Sequence, residues 1–372
     1  MRYFLSSGEA SGELAATLIA QAIRRIDPQA EFEGIGAARM RDAGVALWRD
    51  HSGWASMGPL AAIPRIPKLL LTMLVTAGHI ARSKPDLVVL VDFGAFNVRL
   101  AKRLRAIGYK GPILDVFPPA TWLDRERTAR DVSAVAMPLT AFAHQRDFYR
   151  SHDLPIAYFG HPLASQYTMR APRPAPPPDG GTVALLPGSR RGELRYHAPA
   201  LFAAFRELQA RRPQLRGVIG AADDRGEAFL RELAQRDGVR NVTFARGTLQ
   251  AIADADAAWV ASGTAVLECA LSGVPAVALY IISPALVKHA RRVYSGKYIT
   301  LPNLVLDREV VPELLQDEAT PHALAQAMDA VLAAPQRQYD EFGVLREALG
   351  PPDALEKIAG FAVQLAKERA AC

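Results

Sequence analysis

The run Leu87-Val88-Val89-Leu90-Val91-Asp92 constrains the fold more than any other stretch of the chain. Its apolar residues leave no polar face, so a strand here must be covered on both sides. A parallel sheet between two layers of helices meets that demand. Tyr3–Ser7, Ile113–Phe117, Val132–Met137 and Ile156–Phe159 read as companion strands, with helical patterns from the first turn to about Ile26 and over Phe96–Ile107. Ala171–Gly181 (APRPAPPPDGG) then breaks the pattern. Proline cannot donate to a ladder and glycine is loose, so this stretch reads as a linker. Beyond it the alternation resumes, with strands expected at Thr182–Leu186, Arg216–Gly220, Val242–Phe244, Ala257–Ala261 and Ala276–Tyr280. Helices are expected over Ala198–Arg211 and Thr264–Ser272, and Pro321–Ala370 is almost wholly helical in pattern.

The predicted organisation is therefore α/β, with two doubly wound domains over 1–170 and 182–350, a linker at 171–181, and a C-terminal helix at 351–372. Ligands of such sheets bind beyond the carboxyl ends of the strands, which makes a cleft between the domains the expected site. A length of 372 residues suits two or three domains. The net charge of +6 favours an acidic partner: a phosphorylated substrate, an anionic membrane surface or nucleic acid. The absence of a long Lys/Arg run and of interleaved aromatics argues against the last. Cys269 and Cys372 make no disulfide framework. The start, MRYFLSSGEASGE, lacks a signal peptide's pattern. The greasiest segment, Ile66–Ile80, is interrupted by Lys68 and Gly78 and falls short of the roughly 20 apolar residues of a spanning helix. The expected location is cytoplasmic, with room for peripheral contact with the inner membrane.

Three glycine-bearing turns each link a strand to a helix. Ser7-Gly8-Glu9-Ala10-Ser11-Gly12-Glu13 is either an anion-binding turn or an ordinary one capped by Ser11. Pro187-Gly188-Ser189-Arg190-Arg191 places arginines where they can pair with phosphate oxygens, or is a solvated basic loop. Ser262-Gly263-Thr264 opens a helix whose N–H groups and hydroxyls suit a pyrophosphate, with Glu268 one turn on for ribose hydroxyls; a capping box out of register is the alternative. Neither the G-x-G-x-x-G spacing nor the Gly-Lys-Ser/Thr end of a P-loop occurs. His161, in Gly160-His161-Pro162, is a candidate for hydrogen bonding or proton transfer as well as for a structural role. The other histidines show no metal-ligand spacing, so no metal site is expected. The apolar stretch 54–80 suits buried core or lipid contact.

In this order the motifs resemble the lipid-A-disaccharide synthase family. The matching stretches are SGEASGE at 7–13, Gly36 with Met40 and Gly44, PDLVVLVDF at 85–93, and FN-x-RLAKRLR at 96–105. They continue with GHPL at 160–163, LLPGSRRGEL at 185–194, ASGTAVLE at 261–268 and YITLPNLVLDREVVPELLQDEATP at 298–321. The resemblance implies a GT-B fold of two Rossmann-like domains and an inverting, metal-free transfer without a cofactor. The donor would be UDP-2,3-diacylglucosamine, a UDP-activated acylated amino sugar. The acceptor would be an acylated sugar phosphate, 2,3-diacylglucosamine 1-phosphate. It further implies that Gly188, Ser189, Arg190, Ser262, Gly263 and Thr264 hold the pyrophosphate and Glu268 the ribose, with Asn303 and Gln316 near the nucleotide. A membrane surface is an implied partner, nucleic acid is not, and a homo-oligomer is left open.

Two departures fall on the acceptor side. The family's D-x-P-D-F-N run reads Asp92-Phe93-Gly94-Ala95-Phe96-Asn97 here, so its essential acid is Ala95. The family's S-P-x-x-W-A-W-R reads Pro118-Pro119-Ala120-Thr121-Trp122-Leu123-Asp124-Arg125. Some group must still take the acceptor's proton, and Asp92, Asp124 and Glu9 are the candidates. Rival readings are another UDP-N-acetylhexosamine enzyme of GT-B fold with a changed acceptor, and a non-catalytic UDP-sugar-binding relative.

Overall fold

The computed structural model describes residues 1–51, 54, 66–119, 125–287 and 296–370. The chain divides into two compact units, Met1–Gln166 with Leu349–Cys372, and Tyr167–Ala348.

The first unit holds a seven-stranded sheet of β1 (Arg2–Ser6), β2 (Glu31–Gly36), β3 (Ala46–Asp50), β4 (Leu87–Val91), β5 (Ile113–Val116), β6 (Met137–Thr140) and β7 (Ala157–Tyr158). The order is β3-β2-β1-β4-β5-β6-β7, and every pairing is parallel. The direction of winding reverses between β1 and β4, which opens a crevice at their carboxyl ends. All of β4 is buried, as its sequence demands. Val88 and Leu90 pack with Ile80, Leu100 and Leu104 under the helices Ile66–Ser83 and Gly94–Ala106. Each such side chain contributes roughly 1.5–3 kcal/mol by leaving water. The helix Ala10–Ile26 buries Ala15, Ala16, Ile19, Ala20 and Ile23, a helical-period stripe of mostly small residues. The helix Ala354–Ala370 packs against it, with Leu355, Ile358, Ala359, Ala362 and Ala366 wholly buried.

One strand expectation is corrected. Val132–Met137 is not a strand: Glu126–Ser133 is a helix that buries Ala129 and Val132, and β6 begins only at Met137. The apolar run spans the end of one element and the start of the next, so its composition alone mimics a buried strand.

The second unit holds β8 (Thr182–Leu186), β9 (Arg216–Ala221), β10 (Val242–Arg246), β11 (Ala257–Ala261), β12 (Ala276–Tyr280) and β13 (Glu313–Leu315). They form a parallel sheet in the order β10-β9-β8-β11-β12-β13. Trp259 lies wholly buried at its centre and donates Nε1–H to the Leu324 carbonyl at 3.0 Å. The proline-rich stretch runs along this unit and is fastened to it. Arg212 donates to the carbonyls of Pro177 and Gly180, and Arg173 to that of Asp254. Among the described residues, no helix is long and apolar enough to cross a membrane.

Candidate active site

In the first unit the turns after β1, β4 and β5 meet. A Cβ at Gly8 would overlap the Phe93 ring, and one at Gly94 would stand 2.7 Å from Pro119 Cβ. At Gly12 a Cβ would lie 3.1 Å from the Val91 carbonyl oxygen. The glycines of the first motif thus let the helix Ala10–Ile26 close on the end of β4. Three non-glycine residues at these strand ends adopt left-handed backbone: Asp92 (φ 54°), Phe93 (φ 51°) and Phe117 (φ 61°). Each costs of order 1–3 kcal/mol, and such strain gathers at functional sites. Asn97 pins the β4 turn. Its Nδ2 donates to the carbonyls of Asp92 at 2.7 Å and Ser6 at 3.2 Å, while Oδ1 accepts from Ser6 Oγ at 2.7 Å.

Asp92 is half-buried in that turn, accepting from the Phe93 N–H at 2.7 Å and from Ser11 Oγ at 3.4 Å. Glu9 is half-buried at the N-cap position of the helix Ala10–Ile26. Ala95 is exposed in the first turn of the helix Gly94–Ala106. Glu13, from the same motif as Glu9, turns inward to accept the N–H groups of Ala37 and Met40, a structural capping role. Asp124 lies outside the described residues.

His161 is buried between Phe117 and Phe142, and its Nδ1 accepts the Leu163 N–H at 3.2 Å. Burial lowers its pKa to about 3, so the imidazole is neutral and offers Nε2–H as a donor. In the unfolded chain it protonates near its ordinary 6.5. Stability must then fall as pH drops from about 6.5 towards 3, because the unfolded state takes up a proton that the fold refuses. His161→Phe is expected to flatten this acid limb in urea titrations run across that range.

In the second unit the turns gather at the carboxyl ends of β8, β11, β12 and β13. Gly188 has φ 108°, and a Cβ there would stand 2.5 Å from Glu193 Oε2. Glu193 accepts the N–H groups of Ser189 and Arg190 at 3.1 Å each and pairs with Arg190 Nη1 at 2.8 Å. His197 ties two turns together: Nδ1 donates to the Pro187 carbonyl at 2.9 Å, and Nε2 accepts from the Ile281 N–H at 2.9 Å. Both bonds require the neutral ring, and burial lowers its pKa accordingly. Sequence reasoning singled out neither Glu193 nor His197. The signal was available in their positions, three and seven residues beyond Arg190, one and two helical turns along a single face.

After β11, Gly263 has φ 155° and open space around it, and Thr264 begins the helix Thr264–Leu271. Ser262 Oγ donates to the Ile299 carbonyl at 3.2 Å. Glu268 accepts from Tyr167 Oη at 2.6 Å. Gln316, at the end of β13, has φ 52° and accepts the Ile282 N–H at 3.3 Å. Asn303 is wholly buried and committed to the fold: Oδ1 accepts from the N–H groups of Val310 and Val311, and Nδ2 donates to the Val311 carbonyl and to Glu313. The structure thus brings Gly188, Ser189, Arg190, Ser262, Gly263, Thr264 and Gln316 to one edge of the sheet, and sets Asn303 beneath it. Among the described residues, no three His, Cys, Asp or Glu side chains cluster as metal ligands would.

Two doubly wound sheets of this strand order, each with glycine turns at its switch point, define the GT-B class of folds. Solved structures agree. The S. aureus MnaA–UDP co-structure superposes with a TM-score of 0.65 at 14% identity, over 96% of this chain and 94% of that one. The calicheamicin glycosyltransferase CalG4 superposes with a TM-score of 0.60 at 15% identity, over 100% of both chains. The sequence profile described as lipid-A-disaccharide synthetase matches residues 3–348. The lipid-A-disaccharide synthase of Azotobacter vinelandii is 34% identical over 99% of this chain and 98% of its own length. That of Myxococcus xanthus is 33% identical over 98% and 97%. The chain belongs to the lipid-A-disaccharide synthase family and is a glycosyltransferase.

Proposed function

We propose that the protein joins UDP-2,3-diacylglucosamine to 2,3-diacylglucosamine 1-phosphate with inversion, giving the tetra-acyl disaccharide 1-phosphate and UDP. The observation that carries this reading, beside family membership, is the pair of anion-ready turns after β8 and β11. The adjacent N–H groups of Ser189 and Arg190 converge on the Glu193 carboxylate, which supports reading this turn as one whose donors suit an anion. Arg190 and the helix beginning at Thr264 offset the negative charge that grows on the departing UDP. Glu268 takes the ribose. In the first unit Asp92, at the strained end of β4, takes the acceptor's proton, the position of Ala95 offering none. No metal or cofactor enters the scheme, and the UDP-sugar is a substrate.

The acyl chains have a surface to meet. Leu71 is 64% exposed, Leu70 and Leu74 45% each, on one outer face of the helix Ile66–Ser83 that also carries Ile66 and Val75. A contiguous apolar face of this kind fits the interfacial region of an anionic membrane, at the cytoplasmic side of the inner membrane. The double variant Leu71→Glu, Leu74→Glu is expected to cut co-sedimentation with anionic phospholipid vesicles by about tenfold or more. UDP binding in solution should be unchanged. Equal vesicle binding by both proteins would reject the membrane face.

Gly188→Ala should weaken UDP binding by about 10- to 100-fold in calorimetry, since the added methyl carries roughly 1–3 kcal/mol of backbone strain and crowds Glu193. The deciding assay is UDP release from UDP-2,3-diacylglucosamine in detergent, with and without the monosaccharide 1-phosphate. Acceptor-dependent release supports the synthase. Measurable UDP binding without release would reject it in favour of a changed acceptor or a non-catalytic UDP-sugar-binding relative.

A further inference from the structure

A second carboxyl lies beside Asp92 that the scheme above does not use. Asp115 sits on β5, paired in register with Leu90 of β4, and the Asp92 N–H continues the same ladder by donating to the Val116 carbonyl at 2.9 Å. Strand alternation puts Asp115 on the face of Ile113, which is core beneath the helices Ile66–Ser83 and Gly94–Ala106. A carboxyl there is expensive. Asp115 is 2% exposed, and its Oδ2 has no hydrogen-bond partner. Its strand neighbour on the other side is Pro138, which carries no charge. Of the cations on the helix Gly94–Ala106, Arg99 holds the Ala95 carbonyl, Lys102 pairs with Asp131, Arg105 holds three carbonyls, and Arg103 is exposed. On the helix Ile66–Ser83, His79 pairs with Glu33. Among the described residues, the one charge that acts on Asp115 is that of Asp92.

We propose that Asp115 is the partner carboxyl of Asp92, a positioning residue that sets the proton affinity of the base. The proposal rests on the reading of Asp92 as the base. In the transfer step a bond forms from the acceptor hydroxyl oxygen to the donor's anomeric carbon as the bond from that carbon to the UDP oxygen breaks. The hydroxyl proton passes to Asp92, and UDP leaves with the electron pair. Asp115 stays out of contact with substrate and acts on the base only once it ionises, as a second negative charge on the neighbouring strand. Burial, with the Asp92 charge adding to it, pushes Asp115 up to about 8. Through neutral pH it is therefore held as a neutral acid. Above about 8 it becomes a second negative charge, which changes the proton affinity of Asp92 and repels an anionic substrate.

Because the fold keeps this acid neutral while the unfolded chain ionises it near 3.8, stability is lost as pH rises from about 4 to 8. Asp115→Asn and Asp115→Leu should therefore fold and melt at a higher Tm near neutral pH. The test has two readouts. The first is the carboxyl titration of isotope-labelled aspartate, followed by infrared or NMR spectroscopy. A carboxyl titrating near pH 8 is expected in the wild type and lost in Asp115→Asn. In Asp92→Asn its midpoint should fall by about one pH unit or more, because the neighbouring charge is gone. The second readout is the pH profile of kcat/KM, which should bend downward near 8 in the wild type, as the second charge repels an anionic substrate, and lose that bend in Asp115→Asn. An unmoved midpoint in Asp92→Asn, or superimposable wild-type and Asp115→Asn profiles, overturns the proposal. Full turnover by Asp92→Asn would instead reject Asp92 as the base, so the two failures are distinguishable.

Discussion

Asp92→Asn is expected to lower kcat by about 10²- to 10⁴-fold while leaving KM nearly unchanged, the range seen when a positioned base is removed. Asn keeps the size of the side chain; its Oδ1 can still accept the Phe93 N–H while its Nδ2 donates to Ser11 Oγ, so the left-handed turn at Asp92 and Phe93 should survive. What is lost is a group able to take the acceptor's proton. The companion change is Ala95→Asp. Ala95 is exposed in the first turn of the helix Gly94–Ala106, where the helix dipole favours a carboxylate, so an aspartate is tolerated there without repacking. Placed in the Asp92→Asn background, it should restore at least about tenfold of the lost kcat. If Asp92→Asn turns over at the wild-type rate in steady-state UDP release, the base lies elsewhere, and Glu9 and Asp124 become the next residues to replace.

The largest effect on stability is expected from Trp259→Ala. The ring is the bulkiest wholly buried side chain among the described residues and sits mid-sheet among Leu185, Val277 and Leu324. Truncation leaves a cavity and should cost about 3–5 kcal/mol. It also leaves the Leu324 carbonyl without its indole donor, a further contribution of about 1 kcal/mol. Urea unfolding of the second unit should show the loss as a lower midpoint with an unchanged slope. A cost below about 1 kcal/mol would mean that the surrounding helices collapse into the space.

The buried central strands were readable in the sequence because an apolar run without polar alternation has few other solutions. Ala257–Ala261, Ala276–Tyr280 and Thr182–Leu186 appear where their composition places them. Strands with polar or half-exposed positions were not readable in this way. Glu31–Gly36 alternates charge with apolar residues, and Glu313–Leu315 spans three residues whose side chains are half exposed. Their strand geometry comes from the neighbours they pair with. The same holds at the sites. Glycine turns announce themselves locally, since few other residues fit a positive φ, and so the turns after β8 and β11 were legible. Asp115 was hidden inside a correct strand assignment, because nothing in Ile113–Phe117 tells which face will be closed by helices. His197 and Glu193 act through backbone groups of other residues: their helical spacing from Arg190 is readable, but which carbonyl and N–H groups they meet is not. Asn303 was legible as part of a family block, but its complete engagement inside the fold was not.

The route of the chain through its two units bears on the order in which it matures during synthesis. The second unit is one uninterrupted stretch, Tyr167–Ala348, inserted between the parts of the first. The helix Ala354–Ala370 closes the first unit late. It bridges Arg25 through Glu356, donates the Leu355 N–H to Ser165 Oγ, and sets Phe361 against Phe159. On the ribosome, Met1–Gln166 must therefore wait with the apolar flank of the helix Ala10–Ile26 uncovered while the whole inserted unit emerges and folds. Closure of a loop of that length costs entropy that grows only slowly with size, so the delay is kinetic in origin. The nascent first unit is thus the stage at which this protein is most open to chaperones and most exposed to aggregation.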